Sequence, residues 1–304
     1  MDELQRSIYI TRFREAFDTQ QGTAFQDWFV RLASHAFGAD FEAVRPYGSQ
    51  GDLKCDGRRV STKSIFQCYA PHSMRDVALI TKVNEDFHGA CAHWTMDMAE
   101  WIFVHNDRRG LPPRAVQEIE SLRKAHAPIG IETWSEAELL KLAMTLDLSA
   151  LQALFGYAPS IAIIDRLVMA DLVPIIDALQ RQEPNADDPS LIPPSPKKLE
   201  KNALSDEAAM LLRIGGRKSH LVEMFFRKSA RPDLGEQIAE AFRLRYAELK
   251  SLDLPTDKIF EYLQGYAGMM GGDPKWQGAA LAVLSYFFES CDIFEDPSVS
   301  EVES

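Results

Sequence analysis

The chain is short of the signals that mark several large protein classes. It has four cysteines in 304 residues (Cys55, Cys68, Cys91 and Cys291), and none are spaced as CxxC, which excludes the common zinc frameworks and a disulfide scaffold. It lacks an uninterrupted apolar run of the roughly 18 residues needed to cross a bilayer, so no membrane segment is expected. The opening MDELQRSIYITRF has no apolar signal-peptide core, and a cytoplasmic location is expected. GxSxG, Walker A and GxGxxG patterns are missing, and the seven histidines form no HxxxH pair. These gaps remove serine hydrolases, P-loop NTPases, dinucleotide enzymes and helix-borne zinc sites. Cations are also in short supply: 33 Lys and Arg against 45 Asp and Glu leave a net charge of −12, an unfavourable field for a phosphate polyanion. Residues 1–155 hold 17 of those cations against 21 acids, so any nucleic-acid contact belongs there.

What is present divides in two. The length exceeds one typical domain, and the pattern changes near residue 156, giving expected domains at 1–156 and 157–304. The first alternates helical and extended signals in the order ααβββαβαβα: helices at 3–17 and from 23, where Thr23 is a candidate cap, strands near 41–47, 51–59 and 65–71, a helix at 74–93, and a strand at 100–107. A helix then opens at Pro112-Pro113, a strand follows at 129–134, and Ser135 with Glu138 opens another helix as a capping box. The fold class expected is α/β with a central mixed sheet flanked by helices, followed by an all-α domain. Helices are expected at 161–182, 205–228, 233–252, 256–270 and 275–291. Between the first two, a linker or loop at about 183–198 carries five prolines.

The stretch SQGDLKCDGRRVSTKSIFQCYAP (49–71) carries the densest chemistry. Side chains alternate along a strand, which places Asp52, Lys54 and Asp56 on one face and pairs Gln67 with Tyr69 on one face of the next strand. Arg58, Arg59 and Lys63 form a basic turn between them, the candidate nucleic-acid contact. Gly-Asp-x-x-x-Asp-Gly, a basic turn and Phe-Gln-x-Tyr together resemble the core of the PD-(D/E)xK restriction-endonuclease-like fold over about residues 20–135. The resemblance implies Mg²⁺-dependent DNA hydrolysis, with Asp56 and Gln67 as metal ligands and Tyr69 at the lysine position. Gln26, in the helix GTAFQDWF, would complete the site. Four residues of strand span about 13 Å, whereas paired metals sit about 3.5–4 Å apart, so Asp52 and Asp56 do not share one straight-stranded site, and Asp56 is preferred because it precedes Gly57. One sure carboxylate implies weak Mg²⁺ binding, and Lys54 or Lys63 is left to supply the missing cation.

The segment WQGAALAVLSYFFESCDIFEDP is apolar nearly all round, so it is buried in its own domain or against a partner, through Phe287, Phe288, Ile293 and Phe294. Its end, ESCDIFE, resembles the C-terminal helical domains of bacterial ABC-three-component defence systems, related to Lamassu. That likeness implies an antiphage effector subunit held by an ABC- or SMC-type ATPase and a small middle component, with DNA as target and oligomers allowed. Two readings stay beside the endonuclease: a catalytically inactive nuclease-fold adaptor that binds DNA or protein, and a purely structural assembly subunit.

Overall fold

In the computed structural model, residues 1–45, 53–181, 202, 204–269, 273–290 and 293–294 are described. The chain forms two compact units: residues 12–155, and residues 156–304 together with 1–11.

The first unit follows the expected element order as far as the helix opened at Ser135 and then adds one further helix. Helix α1 (Glu3–Thr19) enters it, followed by α2 (Thr23–Phe37) and the strands β1 (Phe41–Ala43), β2 (Gly57–Arg59) and β3 (Ser64–Tyr69). Then come α3 (Asp76–Trp94), β4 (Glu100–His105), α4 (Pro113–Ala125), β5 (Gly130–Trp134), α5 (Glu136–Ala143) and α6 (Leu148–Phe155). The sheet order is β1-β2-β3-β4-β5, antiparallel from β1 to β3 and parallel from β3 to β5. The mixed sheet is as expected. Local chemistry explains several boundaries: Pro113 opens α4, where a missing N–H costs nothing, and the N–H of Ser135 donates to Glu138 at 2.9 Å in the capping box of α5. Gly22, not Thr23, holds the cap position of α2.

The strands are shorter than the alternation suggests. Residues 53–56 do not pair as strand: Leu53 and Lys54 have φ of 54° and 59°, left-handed values foreign to a strand, so β2 begins only at Gly57. A Cβ at Gly57 would lie 2.3 Å from the Phe41 ring, so only glycine lets Phe41 lie across the start of β2.

Both faces of the sheet are covered. Phe66, Cys68 and Ala70 pack with Phe25, Phe29 and Leu32 of α2, Phe13 and Phe17 of α1, and Leu139 of α5. On the other face Ile65, Tyr69, Trp101 and Phe103 meet Leu79, Val83 and Phe87 of α3 and Ile119 of α4.

The second unit is helical, with no strand among its described residues: α7 (Ile161–Asp165), α8 (Met169–Gln180), α9 (Asp206–Gly216), α10 (Ser219–Lys228), α11 (Leu234–Ser251), α12 (Thr256–Tyr266) and α13 (Pro274–Glu289). Two helices expected to be continuous are each broken. Lys218 Nζ donates to the carbonyls of Asp165 at 2.7 Å and Leu167 at 3.4 Å, satisfying the end of α7, and Asp171 Oδ2 accepts the Val168 N–H at 2.9 Å to start α8. Those contacts come from one lysine, 53 and 51 positions from the two carbonyls, or from a turn that an apolar pattern does not mark. The 205–228 segment breaks after the Gly215-Gly216 pair.

Helix α13 is the hub, packing on α7, α8, α9, α10 and α12, with every residue from Gln277 to Ser285 buried. Phe287 and Phe288 are buried, as are Ile293 and Phe294. The Phe287 ring lies 5.3 Å from Phe242 and 5.8 Å from Phe226, and that of Phe294 is 4.9 Å from Tyr246. These four side chains are therefore buried within the bundle and not exposed to a partner, and the three phenylalanines among them find aromatic neighbours within the unit.

At the α9–α13 crossing, a Cβ on Gly215 would fall 2.1 Å from Ser285 Oγ and 2.8 Å from the Leu281 carbonyl. A serine hydroxyl rotates but a helix carbonyl does not. Gly215→Ala is expected to lower stability by about 1–3 kcal/mol, against the helix-propensity gain of about 1 kcal/mol for the same change in an open helix. Chemical denaturation measures the sign.

Candidate functional site

Asp56 directly precedes β2 and is buried. Its N–H donates to the Phe66 carbonyl at 2.9 Å, and its Oδ2 accepts the Cys68 N–H at 2.6 Å. The carboxylate thus stands in for a strand residue against the edge of β3. It also bonds the Cys68 thiol; burial first, and then the Asp56 charge, push that thiol well above its ordinary value, so it stays protonated.

Gln67 lies on β3, 4% exposed, and its Oε1 is a buried acceptor with no hydrogen-bond partner. Tyr69, two residues on, points to the same face. That face is not a wet one: the Tyr69 ring packs in the α3 side of the core, 6.0 Å from Phe103. Parallel pairing with β4 and the helices above it converts an expected solvent face into interior. Gln26 rides on α2, which covers the opposite face of the sheet, so the structure does not bring it to Gln67 and Tyr69.

Lys54 is drawn elsewhere. Its Nζ is 3.0 Å from Oδ1 of Asp86, a fully buried acid of α3 whose Oδ2 is 2.7 Å from Lys82 Nζ. The Lys54 stem packs over Gly89, where a Cβ would fall 2.6 Å from Lys54 Cγ, and the indole N–H of Trp94 donates to the Leu53 carbonyl at 3.1 Å. These contacts hold the left-handed turn. Asp86 escaped sequence reasoning because an acid in an amphipathic helix reads as surface.

The basic residues are also engaged. Arg58 and Arg59 lie in strand β2, not in a turn, and so point to opposite faces. Arg58 pairs with Glu42 at 2.6 Å and covers the Trp94 ring at 5.5 Å; Arg59 pairs with Asp40 at 2.7 Å and covers Phe37 at 4.7 Å. Asp40 accepts from the Ser61 hydroxyl and N–H as well as from Arg59, which holds its carboxyl down to about 2. Lys63 Nζ donates to the Met96 carbonyl at 3.0 Å.

Asp52 lies outside the described residues. Among the described residues no group of three His, Cys, Asp or Glu could hold a metal. Mg²⁺ demands near-octahedral oxygen ligation, whereas this place offers one carboxylate, already committed to β3, and one amide. The described residues do not fit a Mg²⁺ centre.

A second polar feature was not anticipated. At the carboxyl ends of β3 and β4, the loops 70–75 and 106–112 border a cleft of about 310 Å³. The sequence signal was the polar run HNDRRG closing an apolar strand. Just below, His105 is 2% exposed, and its Nδ1 accepts the Asp107 N–H at 3.3 Å. Burial lowers its pKa to about 4, outweighing the opposing pull of Asp107 and Glu138.

Residues 170–295 match the family model described as C-terminal domain 10 of the ABC-three component (ABC-3C) systems. No curated protein and no solved structure matches the chain. The helical region is thus similar to the C-terminal domains of such systems, in keeping with the likeness carried by ESCDIFE. The match includes no part of the α/β unit. No helix among the described residues is long and apolar enough to cross a membrane.

Two predictions follow from this geometry. Arg58→Glu sets a second carboxylate beside Glu42 and uncovers Trp94, so a loss of about 1 kcal/mol is expected on denaturation, where an exposed turn would have shown none. His105 is neutral in the fold but titrates near 6.5 when unfolded, so its contribution is present above pH 6.5 and lost as pH falls toward 4. Between pH 7 and pH 5 this amounts to about 2 kcal/mol, and His105→Phe is expected to flatten that part of the stability–pH profile.

Proposed function

We propose that this chain is a non-ATPase subunit of a bacterial antiphage defence complex. Its helical region docks on an ABC- or SMC-type ATPase and a small middle component, and its α/β unit is a nuclease-like adaptor that binds DNA or protein without cleaving it. The observation that carries the adaptor reading is the placement of charge around Asp56. Phosphodiester hydrolysis needs a metal or a cation where phosphate charge accumulates. Here the carboxylate bonds a strand N–H, Lys54 is held by Asp86, and Tyr69 is packed against Phe103. The family match over 170–295 supports a place in a multi-component assembly. With Phe287 and Phe294 inside the bundle, partners meet exposed groups such as Leu252 and Tyr262, which are 62% and 51% exposed.

Co-expression with the products of neighbouring genes, followed by affinity purification and size-exclusion chromatography, is expected to return a stable complex. Incubated with plasmid DNA and Mg²⁺, that complex is expected to leave the DNA intact, and Asp56→Asn is expected to change nothing. Metal-dependent cleavage that Asp56→Asn abolishes would establish the endonuclease instead. A chain that purifies alone under all conditions would remove the assembly role.

A further inference from the structure

The cleft at the carboxyl ends of β3 and β4 has no part in the reading above. In α/β sheets ligands collect outside the carboxyl ends of parallel strands, where successive loops diverge. The two loops here are tied together: the Asn106 side-chain amide donates to the Pro71 carbonyl at 3.5 Å, and Asp107 Oδ1 accepts the Arg109 N–H at 2.9 Å, fixing the turn that presents Arg109. The neighbouring arginines then behave differently. Arg108 turns back toward the protein, its Nε 2.7 Å from Glu136 and 3.3 Å from Asp18, and Arg14 Nε lies 3.1 Å from the same Glu136, so two cations offset those two acids. Arg109 keeps its side chain 90% exposed on the rim, its Nε 3.5 Å from Asp107.

A guanidinium offers five N–H donors in a planar fork, and one carboxylate engages at most two of them. At least three donors of Arg109 therefore remain, beside the Ser73 hydroxyl and the His72 imidazole on the facing loop. Asp18 and Asp107 also line the cleft, but each is paired with an arginine, Arg108 and Arg109, and these donors are what remains to meet a ligand. An apolar ligand would leave them unpaired, at a cost of about 1–3 kcal/mol for each one buried. A phosphate group, with three acceptor oxygens, matches them, and its pairing with guanidinium is bidentate. The space of about 310 Å³ accommodates a single small ligand.

We propose that this cleft binds a small phosphorylated ligand about the size of a mononucleotide, with its phosphate on Arg109 and with Ser73 and His72 as further donors.

Isothermal titration of the full chain with AMP, inorganic phosphate and adenosine tests this. AMP is expected to bind and adenosine to fail, with inorganic phosphate binding more weakly than AMP. Arg109→Ala is expected to weaken AMP binding by about tenfold or more, the scale of one lost hydrogen bond to a charged group. Its melting temperature without ligand should stay unchanged, because the side chain is exposed, and Arg109→Lys should recover part of the affinity. The proposal is overturned if no phosphate-bearing probe binds at millimolar concentration, if adenosine binds as tightly as AMP, or if Arg109→Ala binds AMP like the wild type. A short oligodeoxyadenylate that binds through Arg109 while AMP does not would overturn it too, making the site a nucleic-acid contact.

Discussion

The α/β unit depends on one constraint: β3 and β4 are buried on both faces. Parallel pairing requires crossover helices, and α3 and α4 cover one face of the sheet while α1, α2 and α5 cover the other. Whatever β3 carries must then be satisfied inside the protein. Phe66 and Ile65 meet that condition by contact alone. Gln67 meets it incompletely, with one buried carbonyl oxygen left over, and Tyr69 through its ring.

The same constraint governs charge. An acid at the start of β2 cannot face water, and Asp56 finds the Cys68 N–H. A lysine in the preceding turn reaches a fully buried aspartate on α3, which needs cations because an isolated buried carboxylate is prohibitively costly. The arginines of β2 each spread over an aromatic ring on their own side of the sheet. Residues whose types suggest phosphate chemistry are thereby used to close a thin edge of the core. Chemical freedom moves to the ends of the parallel strands, where loops rather than helices meet the solvent and Arg109 is not enclosed.

In the helical unit the organising element is α13, greasy around most of its circumference and encircled by other helices. Its aromatic residues hold that unit together.

The order of strands and helices through β5, helix starts at Pro113 and Ser135, the mixed sheet and a helical C-terminal region were legible in the sequence. Each depends on local chemistry: a missing N–H, a capping side chain, a period of two or of about 3.6 residues. So was the similarity of the C-terminal region to ABC-three-component domains, carried by a short terminal motif and a long apolar helix. What tertiary structure alone decided was the environment of each polar residue. Alternation along a strand says that Gln67 and Tyr69 share a face, but whether that face meets water depends on a helix arriving from residues 76–94. Whether Lys54 neutralises Asp56 or Asp86 depends on two adjacent residues adopting positive φ, a conformation held by Trp94 and Asp86 from more than thirty residues away. Spacing along the chain is a local property; burial and ion pairing are set by which distant segments arrive, and no local pattern encodes them.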